Sequence, residues 1–427
     1  MIISPPKSRE NPLTRIPISR ANKISQAVID QFTRLPPKRK PTVRDNGQYE
    51  WIPLSGIVAE HDDTFTCLAL ATGMKCLAAD RLATAAGNVL HDWHAEVLAI
   101  RTFNRFLLDE CLSLSRDGAS ASNIIVFASG TSPPFRIRPD VKLHMYSSEA
   151  PCGDASMEIV IAAQHDATPW TDPPPTTDSP LPGRGHFSHL GIVRRKPSRA
   201  DAPPTTSKSC SDKLALKQCT SLLCALTSLF VDPSDAYLET LVLPASQFHP
   251  AACERAFSST GRMASVSAAF WSDGYVFRPF IVEMTTETFC FSREVRAAAA
   301  SDLSAGLSIV PCNVAAAWSA SSVDESIVAG ILHGRKSTDP KCASRMSRQQ
   351  MWAAAATVVD ALRSTRQLHP PCKLGIYPSV DEPTYSHIKG SPLLATRSKV
   401  KADVRRTALS GWIANQVDSD FGRRTPV

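Results

Sequence analysis

The segment HAEVLAIRTFNRFLLDECL, residues 94–112, constrains the fold more than any other stretch of this chain. Its apolar residues Val97, Ile100, Phe103, Leu107 and Leu108 recur at helical spacing, so they form one stripe along a helix that must be buried against another layer. The runs around it, TFTCLALATGMKCLAA, NIIVFAS and KLHMYSS, are short, apolar or alternating, and bounded by Gly, Asp and Ser. These features predict strands. A long amphipathic helix between strands lays its stripe on a sheet, which places the chain in the α/β class.

The same pattern extends in both directions. ANKISQAVIDQFTRLP spaces Ile24, Ala27, Val28 and Phe32 as one helix face before Pro36. Further helices are expected after Pro151, over CSDKLALKQCTSLLCALTSLF, and within 343–366 and 391–413. Strands are expected in AYLETLVLP, YVFRPFIVEM, LSIVPCNVAAAW and ESIVAGILHG. Residues 1–19, rich in Pro, Ser and Arg and without apolar period, read as a basic disordered tail. Residues 168–183 hold six Pro and read as an irregular insertion within one domain that spans 20–427.

Composition narrows the class. With 43% hydrophobic and 20% charged residues the chain can bury a core, which excludes a wholly disordered protein. No apolar run reaches membrane-spanning length, and the N-terminus places proline and charge where a signal peptide needs an apolar stretch, so an intracellular protein of cytoplasm or nucleus with no membrane association is expected. The net charge is +7, and residues 1–40 carry nine basic and two acidic side chains, which suits a polyanionic partner. Twelve thinly spread Cys do not resemble a disulfide framework and are expected to be reduced, a few of them binding metal.

His94, Ala95 and Glu96 stand at the start of the predicted helix, two residues after Asp92. A lone His-x-Glu occurs by chance in many chains, and a His at a helix start is usually a surface or capping residue. The segment SSEAPCGDA adds a second element, because it sets Cys152 after a proline at a strand end, where it is expected to open the next helix. A thiolate there is favoured by the helix dipole and by free N–H groups. Together the two elements suggest a zinc deaminase, in which one His and two Cys hold the metal and a Glu that is not a ligand moves protons. Such sites have Pro-Cys-x-x-Cys, but position 155 is Ala155, so the third ligand must lie elsewhere. Cys210 in KSCSDKLA, also opening an amphipathic helix, is the strongest candidate. Cys219 and Cys224 point into the apolar body of that helix and read as core thiols.

WHAE, APCGDAS and SCSDKLA, in this order, resemble the adenosine deaminases that act on RNA. VRRKPSRADAPPTTSKSCSDK and ISQAVIDQF…EWIPLSGIV are similar to the eukaryotic, especially fungal, tRNA-specific branch. Ser156 stands where the double-stranded-RNA branch carries Arg, and the chain has no room for separate RNA-binding domains. The resemblance implies a cytidine-deaminase-like α/β/α core with an elaborated C-terminal half, forming a single adenosine-to-inosine deaminase domain. It implies zinc held by His94, Cys152 and Cys210, and hydrolytic deamination of adenosine 37 in the anticodon arm of tRNA-Ala, with Glu96 as proton shuttle for a water that zinc activates. Thr72, Lys75 and Asp92 correspond to family positions near the substrate pocket.

The family also buries one inositol hexakisphosphate, and the resemblance assigns its contacts to Arg101, Lys213, Arg348, Tyr385, Lys389, Lys401 and Trp412. Cations buried in a core need such a counter-charge. Ile100 and Leu216 replace Arg of the editing enzymes, and Lys217 replaces a Trp, leaving fewer cationic contacts. Two other readings set the tests: a non-catalytic zinc-containing RNA-binding module would lose the acid at position 96, which is present, and a deaminase of another structured RNA would keep the whole site. Deamination of a free nucleoside or of cytidine requires adjacent Cys ligands in a small closed domain, which this chain lacks.

Overall fold

In the computed structural model the described residues are 18–128, 133–163, 181–182, 189–196, 203–303, 308–364, 376–415 and 417–423. The central element is an eight-stranded mixed sheet of β1 (Leu54–His61), β2 (Thr64–Thr72), β3 (Lys142–Ser147), β4 (Leu238–Pro244), β5 (Ile281–Thr285), β6 (Ala315–Ser319), β7 (Asp324–Val328) and β8 (Ile331–Leu332). Its strand order is β5-β4-β3-β1-β2-β6-β7-β8. The three strands β3, β4 and β5 run parallel to each other, and every other pairing is antiparallel.

Both faces of the sheet are covered, so its central strands are apolar on both sides rather than alternating with polar residues. Val58, Leu70, Tyr146 and Val242 face α1 (Arg20–Thr33), where they pack with Ile24, Val28 and Phe32. Ile57, Ala69, Met145 and Leu241 face the other way and pack with Phe103 and Leu107 of α2 (Ala95–Asp117). The remaining helices among the described residues are α3 (Met157–Ala162), α4 (Cys210–Thr220), α5 (Pro250–Phe257), α6 (Arg293–Leu303), α7 (Arg348–Ser364), α8 (Tyr385–Lys389) and α9 (Ala395–Arg406). The last three extend the α2 layer: Trp352 and Val359 of α7, Ile388 of α8 and Val400 of α9 share its core. The α/β/α expectation holds.

Several local expectations change. NIIVFAS does form a strand at Ile125–Phe127, but among the described residues it pairs with Phe135–Ile137 alone, and the place beside β1 is taken by β3. LSIVPCNVAAAW divides after Pro311: Ile309–Pro311 pairs with Tyr49–Trp51, and only Ala315–Ser319 enters the sheet. YVFRPFIVEM yields a strand only beyond Pro279, which has no N–H to donate. The helix expected over 210–230 ends at Thr220, where Ser221 turns left-handed (φ 55°), so Cys224 lies outside it while Cys219 is fully buried within it.

Ser19 caps α1, accepting a hydrogen bond from the Asn22 N–H, and the rest of the expected tail, residues 1–17, lies outside the described residues. So does the Pro-rich insertion, apart from Leu181–Pro182, which pair in parallel with Arg194–Arg195 and are regular against expectation. Among the described residues no helix is long and apolar enough to cross a membrane.

Candidate active site

Three chain segments meet at one end of the sheet: the start of α2, the loop after β3 and the start of α4. The end of β2 reaches α2 through Gly73, whose carbonyl accepts the Ala95 N–H at 2.9 Å. Gly73 has φ 143°, and a Cβ there would stand 2.1 Å from the Trp93 carbonyl oxygen, so only glycine lets the strand end lie against the helix start. His94 is the N-cap residue of α2, and Glu96 in its first turn is buried.

Cys152 does not open a helix as expected. It sits in the loop before a single 3₁₀ turn, Asp154–Ser156, and α3 begins only at Met157. The helix N-terminus that serves its sulfur belongs to α4, whose first residue, Cys210, donates its backbone N–H to Cys152 Sγ at 3.3 Å. Gly153 makes this approach possible, since at φ 103° a Cβ would lie 2.3 Å from Ser209 Oγ. Ser209 caps α4 by accepting from the Asp212 N–H.

Cys152, Cys210 and Glu96 lie next to one another here. Cys210 Sγ donates to Glu96 Oε2 at 3.1 Å. A hydrogen bond from Cys210 holds the Cys152 thiol well below its ordinary range against the cost of burial, and Lys196 and His94 act in the same direction. Burial, with the negative Cys152 beside it, pushes the Cys210 thiol up. Burial and Cys152 also raise the Glu96 carboxyl, against the pull of Lys196 and His94.

Among the described residues the group placed to hold a metal ion is Cys76, Asp92 and His94, their ligand atoms within 4.8 Å of one another, whereas the set expected from the motifs is His94, Cys152 and Cys210. Both donor sets share His94. Asp92, however, is already committed. Its Oδ1 accepts from His94 Nδ1 at 2.9 Å and from the His94 N–H at 3.0 Å, while Oδ2 accepts from Lys196 Nζ at 2.9 Å, from Ser207 Oγ at 2.5 Å and from Lys213 Nζ. These cations outweigh burial and keep it an anion. Such a carboxylate orients a metal-binding imidazole by holding Nδ1 and leaves Nε2 for the metal. One His with two Cys is a donor set that suits zinc.

Lys196, in the stretch VRRKPS, is a further member of this cluster that the motifs do not assign. It is buried and also donates to Cys210 Sγ at 3.2 Å. Of the two other pocket candidates, Thr72 is buried with its hydroxyl accepting from the Ala316 N–H, and exposed Lys75 pairs with Asn313. Neither joins the cluster around Glu96.

Behind Asp92 lies a cavity of about 420 Å³, lined by Arg101, Lys213, Arg348, Lys389, Lys401 and Trp412, six of the seven residues assigned from sequence to a polyphosphate. The seventh, Tyr385, lies under it, with the Arg348 guanidinium 5.8 Å and Lys389 Nζ 5.9 Å from its ring centroid. Lys208 and Arg405 also line it and were missed. Nε of Arg101 and of Arg405 are buried without a hydrogen-bond partner among the described residues. Burial and the neighbouring Arg397, Arg405 and Lys389 push Lys401 down to about 7, and burial with Lys213 takes Lys208 down to about 8. So many cations facing one another fit a polyanionic ligand. Ile100 and Leu216 are packed in the apolar core, and Lys217 donates to the Leu222 and Leu223 carbonyls, so these three departures are accommodated by packing and backbone contacts.

The model of the adenosine-deaminase (editase) domain matches residues 69–416, which contain every residue of this cluster and cavity. The chain belongs to this family. The deaminase is 41% identical over 283 residues to tRNA-specific adenosine deaminase 1 of Schizosaccharomyces pombe, covering 65% of this chain and 71% of that protein. It is 34% identical over 236 residues to tRNA-specific adenosine deaminase 1 of Saccharomyces cerevisiae, covering 52% and 58%. The double-stranded RNA-specific editase Adar of Drosophila melanogaster is more distant, 28% identical over 214 residues, covering 46% and 30%. The enzyme is thus an adenosine deaminase, as its motifs predict.

Proposed function

We propose that this enzyme hydrolyses adenosine to inosine in tRNA, at adenosine 37 in the anticodon arm of tRNA-Ala, with zinc held by His94, Cys152 and Cys210. The observation that carries this reading is Glu96: a buried carboxyl whose Oε2 is 3.1 Å from Cys210 Sγ, at the junction of the three segments that bear the ligands. Zinc there would supply a Lewis acid that makes water easier to deprotonate near neutral pH. Glu96 accepts the proton as the water oxygen bonds to C6 of adenine, then returns it toward the purine nitrogen and the leaving ammonia. Asp92 fixes the His94 ring, and Lys196 screens the Cys210 sulfur. The names of the relatives support tRNA as substrate. An adenine in an open loop is also easier to reach, since removing one from a duplex costs a few kcal/mol.

The cavity would hold inositol hexakisphosphate, and Lys213, which lines the cavity and donates to Asp92, would join it to the site. Replacing the chromosomal gene with a Glu96→Gln copy tests the reading. Sequencing of cellular tRNA-Ala should then lose the inosine signal at position 37 while the protein level holds. Persistence of that signal would refute it.

A further inference from the structure

Asp154 and Asp212 lie at equivalent places, each two residues after one of the two zinc-site thiols, Cys152 and Cys210. Both are completely buried, where a lone carboxylate is strongly unfavourable. Each is met by an arginine from one short segment, the end of α5 and the 3₁₀ turn after it. Arg255 Nε donates to Asp154 Oδ1 at 3.0 Å and its Nη2 to the Asp154 carbonyl at 2.8 Å, while its guanidinium also engages Glu158. Arg262 Nη1 donates to Asp212 Oδ1 at 2.6 Å and its Nε to the Ala256 carbonyl at 3.0 Å, which ties it back to α5.

The two thiol segments also bind each other. Ser211 Oγ donates to the Pro151 carbonyl at 2.9 Å and accepts from the Ala155 N–H at 3.0 Å. One short segment, 250–262, therefore holds both thiol segments from outside while Ser211 joins them within. From this geometry we propose that Arg255 and Arg262 are positioning residues that set the separation of Cys152 and Cys210 for the metal. The proposal rests on the ligand reading above. Neither arginine is expected to touch substrate. Their effect passes through Asp154 and Asp212 to the sulfurs, as outer partners of metal ligands do elsewhere.

The test compares Arg255→Met, Arg262→Met and Arg262→Lys in the zinc-loaded enzyme with Arg39→Met, which breaks the ion pair of the buried Arg39 with the exposed Asp324 on β7. Zinc transfer to a chromogenic chelator should be about 10- to 100-fold faster in the two bracket Met variants. Their cobalt-substituted forms should show displaced thiolate-to-metal and d–d bands, Arg262→Lys should lie nearer the wild type, and Arg39→Met should lower the melting temperature with neither effect. Arg255, the more accessible of the pair, carries the test if Arg262→Met does not fold. Bracket variants that melt lower yet keep wild-type zinc release and cobalt spectra would overturn the proposal. Zinc retained in Cys210→Ala would instead overturn the ligand assignment itself, and this inference with it.

Discussion

Lys401 offers a sign reversal that decides whether a polyanion fills the cavity. In the protein without a ligand its ammonium is pushed from an ordinary 10.5 to about 7 by burial and by Arg397, Arg405 and Lys389. At about 1.4 kcal/mol per tenfold change in proton affinity, holding that charge in the fold costs up to about 4 kcal/mol at pH 7. A folded value below the unfolded one means that the cost is full below pH 7 and fades as pH rises toward 10.5. An empty cavity would therefore make the enzyme more stable by about 2 kcal/mol between pH 7 and pH 9, and Lys401→Met would stabilise it. A phosphate beside Lys401 reverses both signs, since the ammonium is then favoured in the fold and breaking a buried pair costs about 3–5 kcal/mol. Denaturant titration of the enzyme as purified, at pH 7, 8 and 9, reads this directly. The account predicts no gain in stability with pH and a destabilised Lys401→Met. A wild type that gains about 2 kcal/mol by pH 9, with a more stable variant, would refute it.

Three further outcomes follow from the site. Glu96→Gln should lower turnover by about 10²- to 10⁴-fold with zinc content unchanged by elemental analysis, and full activity would exclude Glu96 as the proton carrier. Cys152→Ala and Cys210→Ala should lose zinc and activity together while Cys76→Ala and Cys219→Ala keep the metal; the opposite result at Cys76 would move the metal to the Cys76, Asp92 and His94 group. Lys196→Met leaves Asp92 with one buried cation fewer and Cys210 without its donor, so kcat should fall at least tenfold in a folded enzyme, and an unchanged kcat would remove Lys196 from the site.

The parts of the site legible in the sequence are those carried by short motifs at element starts. His94 and Glu96 begin a long amphipathic helix, and Cys210 follows a capping Ser, so both places could be read locally. Cys152 was found by its motif, but the local reading assigned its stabilising N–H to the wrong helix, because the donor comes from Cys210, distant in sequence. The cavity shows the same limit: its cations are scattered from Arg101 to Arg405, and only family resemblance gathered most of them. Lys208, Arg405 and Lys196 escaped because a basic side chain in a polar run looks solvated until the fold buries it. Likewise NIIVFAS is apolar enough for the central sheet, but the edge of β1 is occupied by Lys142–Ser147 and the strand pairs with Phe135–Ile137 instead.

The most direct test of the central claim is nucleoside mass spectrometry and sequencing of a tRNA-Ala transcript after incubation with the purified, zinc-loaded enzyme. The account predicts one inosine per molecule, at position 37, formed with release of ammonia, abolished by Glu96→Gln, and not formed in a fully paired duplex of the same sequence. A transcript that stays free of inosine with enzyme shown to hold zinc, or inosine that appears equally in the duplex, would contradict it.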